Sequence, residues 1–128
     1  MIKEFLKYSN DQLSDNFWTE EFKCHCSYID CHITYVDTDL VGKLQELRSH
    51  LGIPIKITSG YRCARHNKDI GGKKGSYHLI GKAADISVDV PLVELQELCE
   101  ERFDGVGRYP GRHFTHVDIR GYKAKWTG

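Results

Sequence analysis

The chain has 128 residues and a mass of 14.7 kDa, enough for one domain with its own core and too little for two typical ones. Eighteen basic residues balance eighteen acidic ones, which argues against a nucleic-acid binder working through bulk positive charge. With 40% hydrophobic and 28% charged residues it is no disordered tail, and no apolar run approaches the ~20 residues that span a bilayer.

The segment from Met1 to Lys7 has neither an apolar signal core nor a cleavage site, so synthesis in the cytoplasm is expected, with any export by another route. Residues up to about 22 read as a polar N-terminal arm that Phe17, Trp18 and Phe22 can pack onto the domain. A stretch rich in Cys and His follows, from Cys24 to His32. Leu40, Leu44, Leu47 and Leu51 then recur at helical spacing and predict a helix over Thr38–Leu51, capped by Thr38 or Asp39 and stopped at Gly52. Ile53, Ile55 and Ile57 alternate with polar residues and Pro54, a strand pattern. From Ser59 to Tyr77 the chain reads as a long loop with one helical turn near His66 to Ile70. Ala83 to Val88 reads as a buried strand. Asp89 can cap a further helix carrying Leu92, Leu95, Leu98 and Cys99 on its apolar face, with Pro91 in its first turn. Strands around Gly105–Tyr109 and Phe114–Ile119 complete a single α+β domain over residues 1–128, with a mainly antiparallel sheet and flanking helices.

Chemistry concentrates in the second half. His78 lies just before a strand and Asp85 inside it, while His116 and Asp118, two apart on another strand, share a face. Two imidazoles and a carboxylate suit zinc, and three protein ligands leave a fourth position open, the mark of a catalytic site. The small residues Gly81 and Ala83 allow the tight turn that brings His78 and Asp85 together.

Ser76-x-His78-x-x-Gly81-x-Ala83-x-Asp85 matches the S-x-H-x-x-G-x-A-x-D signature of the zinc D-Ala-D-Ala carboxypeptidases. Thr58-Ser59-Gly60-Tyr61-Arg62 resembles that family's upstream S-G-Y-R segment. The segments Gly105 to Pro110 and Phe114 to Gly121 resemble the C-terminal part of its small single-domain branch, and Glu21 to Cys26 resembles the branch's start. The resemblance runs from about Asp15 to Trp126. It implies the fold shared by these peptidases and the hedgehog signalling domain. It also implies one catalytic zinc held by His78, Asp85 and His116, with Arg62 contacting a substrate carbonyl or carboxylate and Ser76 orienting the substrate. Tyr61, Tyr77 and Tyr109 are available to line the cleft, and Tyr109 is taken as substrate-binding.

The proton carrier is left open. Many relatives place an acid three positions before the last ligand, where this chain has His113. Others carry an H-x-H pair, where this chain has His116-x-Asp118. Asp118 or His113 is thus the expected base, with Asp118 a less favoured alternative to His116 as ligand. The implied substrates are peptidoglycan stem peptides, cut next to D-amino acids either at a terminal D-Ala or at a cross-link. A monomeric peptidase of this kind resembles a phage lysis protein released from the cytoplasm onto the wall, with no nucleic acid or inserted membrane as partner. The alternative is a non-catalytic binding module of the same fold, which loss of every acid or base near the zinc would favour.

Cys24-x-Cys26-x4-Cys31 has soft donors for a second, structural zinc, with Cys63 available as a fourth. The spacing is not that of a standard knuckle, and zinc, disulfide and free thiols stay open. One metal per chain is expected. Cys99 belongs to a helix core face, Lys73 and Lys74 to a solvated loop, and Trp126 anchors the C-terminus.

Overall fold

The structure is a computed structural model that describes residues 1–128. Its centre is a five-stranded sheet of β5 (Lys56–Ser59), β6 (Ala83–Ser87), β8 (Phe114–Asp118), β7 (Gly105–Tyr109) and β9 (Ala124–Thr127), in that spatial order. All neighbours are antiparallel except β7 and β9, which run parallel. Period-two alternation splits the sheet into two faces. Ala84, Ile86, Val106 and Val117 enter the core with Leu40, Leu44 and Leu47 of the helix α1 (Thr38–Leu51) and Leu95 and Cys99 of α3 (Leu92–Glu100). Asp85, His116 and Asp118 alternate with these core positions and occupy the opposite face. The expected α+β class and the strands β6, β7 and β8 are therefore present.

Helix α1 has the expected bounds, but its cap is Asp37, whose carboxylate accepts from the Asp39 N–H at 2.9 Å. Gly52 closes it at φ 69°, a left-handed conformation that costs glycine little. Helix α3 is not capped by Asp89; it starts at Leu92 behind Pro91 with no side-chain cap. The strand expected from Ile53 pairs only from Lys56 on, because Pro54 has no N–H to offer a ladder. The helical turn in the long loop is α2 (Ala64–Asp69).

The N-terminal segment is structured throughout. Strand β1 (Ile2–Leu6) pairs with β4 (Ile33–Asp37), and β2 (Gln12–Ser14) pairs with β3 (Phe17–Trp18). Phe17 and Phe22 are fully buried in the core while Trp18 is exposed. No helix is long and apolar enough to cross a membrane.

Candidate metal centre

Strand register brings the site together. Asp85 of β6 stands directly opposite His116 of β8, and Ala83 opposite Asp118. His78 arrives on a 3-10 turn, Tyr77–Ile80, which Ser76 caps by accepting from the His78 N–H at 3.2 Å. Gly81 ends that turn at φ 74°, and a Cβ there would stand 2.4 Å from the Tyr35 carbonyl oxygen. Only glycine satisfies both the backbone angle and the close approach.

His78, Asp85 and His116 are all buried, with one donor atom each within 4.8 Å of the others. His78 Nε2 lies 3.2 Å and His116 Nδ1 3.1 Å from Asp85 Oδ1. The remaining atom of each residue is engaged elsewhere. His78 Nδ1–H donates to the Gly60 carbonyl at 2.7 Å, His116 Nε2–H donates to Asp118 Oδ2 at 2.7 Å, and Asp85 Oδ2 accepts from Arg62 at 2.9 Å. These outer bonds select the tautomers. Each neutral imidazole then aims a lone pair at Asp85 Oδ1, so three acceptors converge with no proton between them. Such a set calls for a cation, and its two nitrogens and one oxygen fit zinc.

Asp118 does not face the point where the lone pairs meet. It is completely buried behind His116 and pinned by Arg120, which donates to it through Nε at 2.9 Å, Nη2 at 2.6 Å and the backbone N–H at 3.1 Å. Burial opposes its ionisation, but bonds from His116 and Arg120 outweigh burial and hold its carboxyl below the usual range. Burial lowers the His116 pKa, but Asp118 and Asp85 reverse that and raise it.

Neither expected base lines the cleft over His78, Asp85 and His116. Asp118 bonds His116 Nε2 from behind, where it orients the imidazole. His113 is exposed, at φ 57°, and lines a separate cavity with Val88 and Pro110; the turn Pro110–Arg112 carries it away from the ligands.

Arg62 lies at the centre as expected, but its Nε, Nη1 and Nη2 are occupied by Ser59 at 3.0 Å, Asn67 at 3.3 Å and Asp85 at 2.9 Å. These contacts fix Arg62 against the Asp85 carboxylate. Ser76 and Tyr109 do line the cleft over the ligands, a cavity of about 480 Å³. Lys73 and Lys74 line it too, rather than serving only as a solvated loop, together with Arg62, Arg112 and Arg120. Its aromatic wall is Tyr77, Tyr109, Tyr122 and Trp126. Trp126 packs on the His116 ring with centroids 5.3 Å apart and donates to the Tyr109 hydroxyl at 2.8 Å. It is thus part of the site rather than a core anchor. Arg120, whose guanidinium lies 4.8 Å from the Tyr77 ring centre and 5.0 Å from that of Trp126, has no periodicity that singles it out in the sequence. Its position two residues after Asp118 is the one available signal.

Residues 15–118 match the family model described as Peptidase M15. The chain is 36% identical over 103 residues to the probable peptidoglycan L,D-endopeptidase MepK of Haemophilus influenzae, covering 73% of this chain and 55% of that protein. It is 33% identical over 95 residues to the peptidoglycan L,D-endopeptidase MepK of Escherichia coli K12, covering 67% and 52% respectively. The chain spans about half the length of the curated relatives it matches.

Proposed function

The chain belongs to the peptidase M15 family, and from that premise we propose that it is a zinc-dependent endopeptidase hydrolysing peptidoglycan peptides at a bond between an L- and a D-residue. The observation that carries the reading is the cleft. Its triad of converging lone pairs is ringed by Arg62, Lys73, Lys74, Arg112 and Arg120, and its one lining carboxylate is the ligand Asp85. Arg62 and Arg120 are paired with Asp85 and Asp118, but Lys73, Lys74 and Arg112 have no carboxylate partner; three such cations around one site of a net-neutral chain suit an anionic substrate, and wall peptides carry free carboxylates. The curated relatives supply the preference for an endopeptidase over a carboxypeptidase.

His78, Asp85 and His116 would hold the zinc, which when bound supplies Lewis-acid polarisation of a peptide carbonyl and acidifies water. The remaining work falls to the chain. Arg62 and Asp118 lock the ligand orientations, so little reorganisation is needed as charge develops. Trp126 and the tyrosines wall off solvent. The Tyr109 hydroxyl accepts from Trp126, which leaves its own proton free to be donated to an oxyanion or a leaving amine. Tyr109→Phe is expected to lower kcat by about 100-fold with little change in zinc content, the low end of what a positioned proton donor contributes.

One observation favours the second reading, a non-catalytic binding module: neither Asp118 nor His113 reaches the cleft. The deciding experiment incubates zinc-loaded protein with cross-linked and linear muropeptides and reads the products by mass spectrometry, with and without chelator. Chelator-sensitive internal cleavage supports the endopeptidase, and release of terminal D-Ala alone replaces it with a carboxypeptidase. Retention of muropeptides without cleavage by fully loaded protein replaces it with the binder.

A further inference from the structure

A second cluster of metal-binding side chains lies outside the cleft. We propose that Cys24, Cys26, Cys31 and Cys63 bind one zinc ion as a structural tetrathiolate site, which fastens the 24–31 loop to the residue that follows Arg62.

The four sulfurs lie within 4.8 Å of one another, with Cys24 and Cys63 Sγ 3.8 Å apart and Cys63 and Cys26 Sγ 3.9 Å apart. Four sulfurs tetrahedrally placed at a zinc–sulfur bond of about 2.3 Å stand about 3.8 Å from each other. Disulfides would bring pairs to about 2.05 Å, yet all five cysteines of the chain are free. Thiolates bound to the separate irons of a cluster stand farther apart than the edge of a single-ion tetrahedron, so the spacing selects one ion.

Independent support comes from charge. Lys7 is only 4% exposed, and its ammonium has two partners, the Cys26 carbonyl at 3.1 Å and Cys26 Sγ at 3.4 Å. No carboxylate pairs with it. A buried ammonium needs a nearby negative charge, and four thiolates around one zinc ion carry a net charge of about −2. Backbone N–H groups point at the sulfurs as well, from Cys63 to Cys24 at 3.4 Å and from His66 to Cys63 at 3.4 Å. Outer hydrogen bonds of this kind orient metal ligands.

Local structure explains the need. Between Lys23 and His32 there is neither helix nor strand, so no backbone ladder holds the loop. Its other ties to α2 are exposed contacts such as Arg65 with Asp30, which contribute little. Cys63 caps the first turn of α2 by accepting from the His66 N–H, and Arg62 just before it holds Asp85. One ion at the four cysteines thus joins the N-terminal segment to the backbone that carries the Arg62 side chain.

The test needs no activity. The full chain, purified under reducing conditions and loaded with zinc, is expected to hold two zinc ions, and the soluble variant His116→Ala one. X-ray absorption at the zinc edge of His116→Ala should then show a shell of four sulfurs. Cys31→Ser should lose one zinc and melt at a lower temperature while its remaining zinc shows nitrogen and oxygen ligands. Absence of zinc from His116→Ala, a His116→Ala zinc without a sulfur shell, or iron in its place would each overturn the assignment. Should Cys31→Ser fail to fold, the zinc content and spectrum of His116→Ala still decide. These His116→Ala readouts stand apart from the peptidase reading, since neither zinc in the cleft nor muropeptide cleavage enters them.

Discussion

Asp118 shows how one atom's partner changes a residue's role. A carboxylate two positions from a ligand is open to reading as a base, yet its bond to His116 Nε2 at 2.7 Å places it behind the imidazole. Asp118→Asn is therefore expected to weaken zinc binding at the His78–Asp85–His116 centre by 10- to 100-fold, the usual cost of losing such a partner. Competition with a chromophoric chelator measures it; an unchanged affinity with activity lost would restore Asp118 as base. The pH dependence has a definite sign. A folded-state pKa depressed below the ordinary value near ~3.9 gives stabilisation that is complete above the unfolded value and fades as pH falls towards the folded one. The difference in melting temperature between wild type and Asp118→Asn should hence shrink as pH drops below about 4. Cys99 offers a contrasting case: burial pushes its thiol up to about 12, so it stays protonated in the core. Alkylation of the native protein at pH 8, read by peptide mass mapping, should leave Cys99 unmodified.

Among the elements, the pairing of β7 with β8 is what makes room for the centre. Gly105 stands opposite Asp118 and Gly107 opposite His116. A Cβ on Gly105 would lie 2.2 and 2.4 Å from the two Asp118 carboxylate oxygens, and one on Gly107 would meet the Trp126 indole at 2.5 Å. The strand thus trades side chains for space at the two positions that face the ligand and its partner. Gly105→Ala should displace the Asp118 carboxylate and lower zinc affinity at this centre by about 10-fold, matching the lower bound for a lost outer partner. Circular dichroism should show the sheet retained. Wild-type affinity in Gly105→Ala would mean that the carboxylate's seat does not matter to the metal.

For the whole molecule, the instructive contrast is between an overall charge of zero and a cleft lined by five cations. Opposite charges must lie elsewhere on the surface, so net charge says nothing of the local field. Attraction of an anionic peptide into such a cleft is screened once ions crowd within a Debye length, ~10 Å at 0.1 M salt. Raising sodium chloride from 0.05 to about 0.5 M is expected to raise KM for muropeptides several-fold and leave kcat nearly unchanged. A salt-independent KM would show that the lysines and arginines take no part in capture.

Much of this architecture is local, and to that extent readable from the residues in order. The leucine spacing of α1, the Gly52 stop and the alternation in β6 and β8 depend on helical and strand periods that near neighbours enforce. The candidate donor set was legible for a related reason: Ser76, Gly81 and Ala83 shape a single turn and strand, and His116 needs only its place on the next one. Pairings between distant segments carry no such local period. The β1–β4 ladder, the parallel addition of β9, the approach of Cys63 to Cys24 across 39 positions and the burial of Asp118 beneath Gly105 are set by packing of the whole chain. So is the fate of the proton carrier. Residue type and spacing made Asp118 and His113 equal candidates, but side-chain direction is decided by which face of the sheet is filled and by how the Pro110–Arg112 turn leaves it. Sequence determined the donor set, because chemistry and short-range geometry select it; tertiary structure decided which neighbours touch those donors, because that depends on contacts between segments remote along the chain.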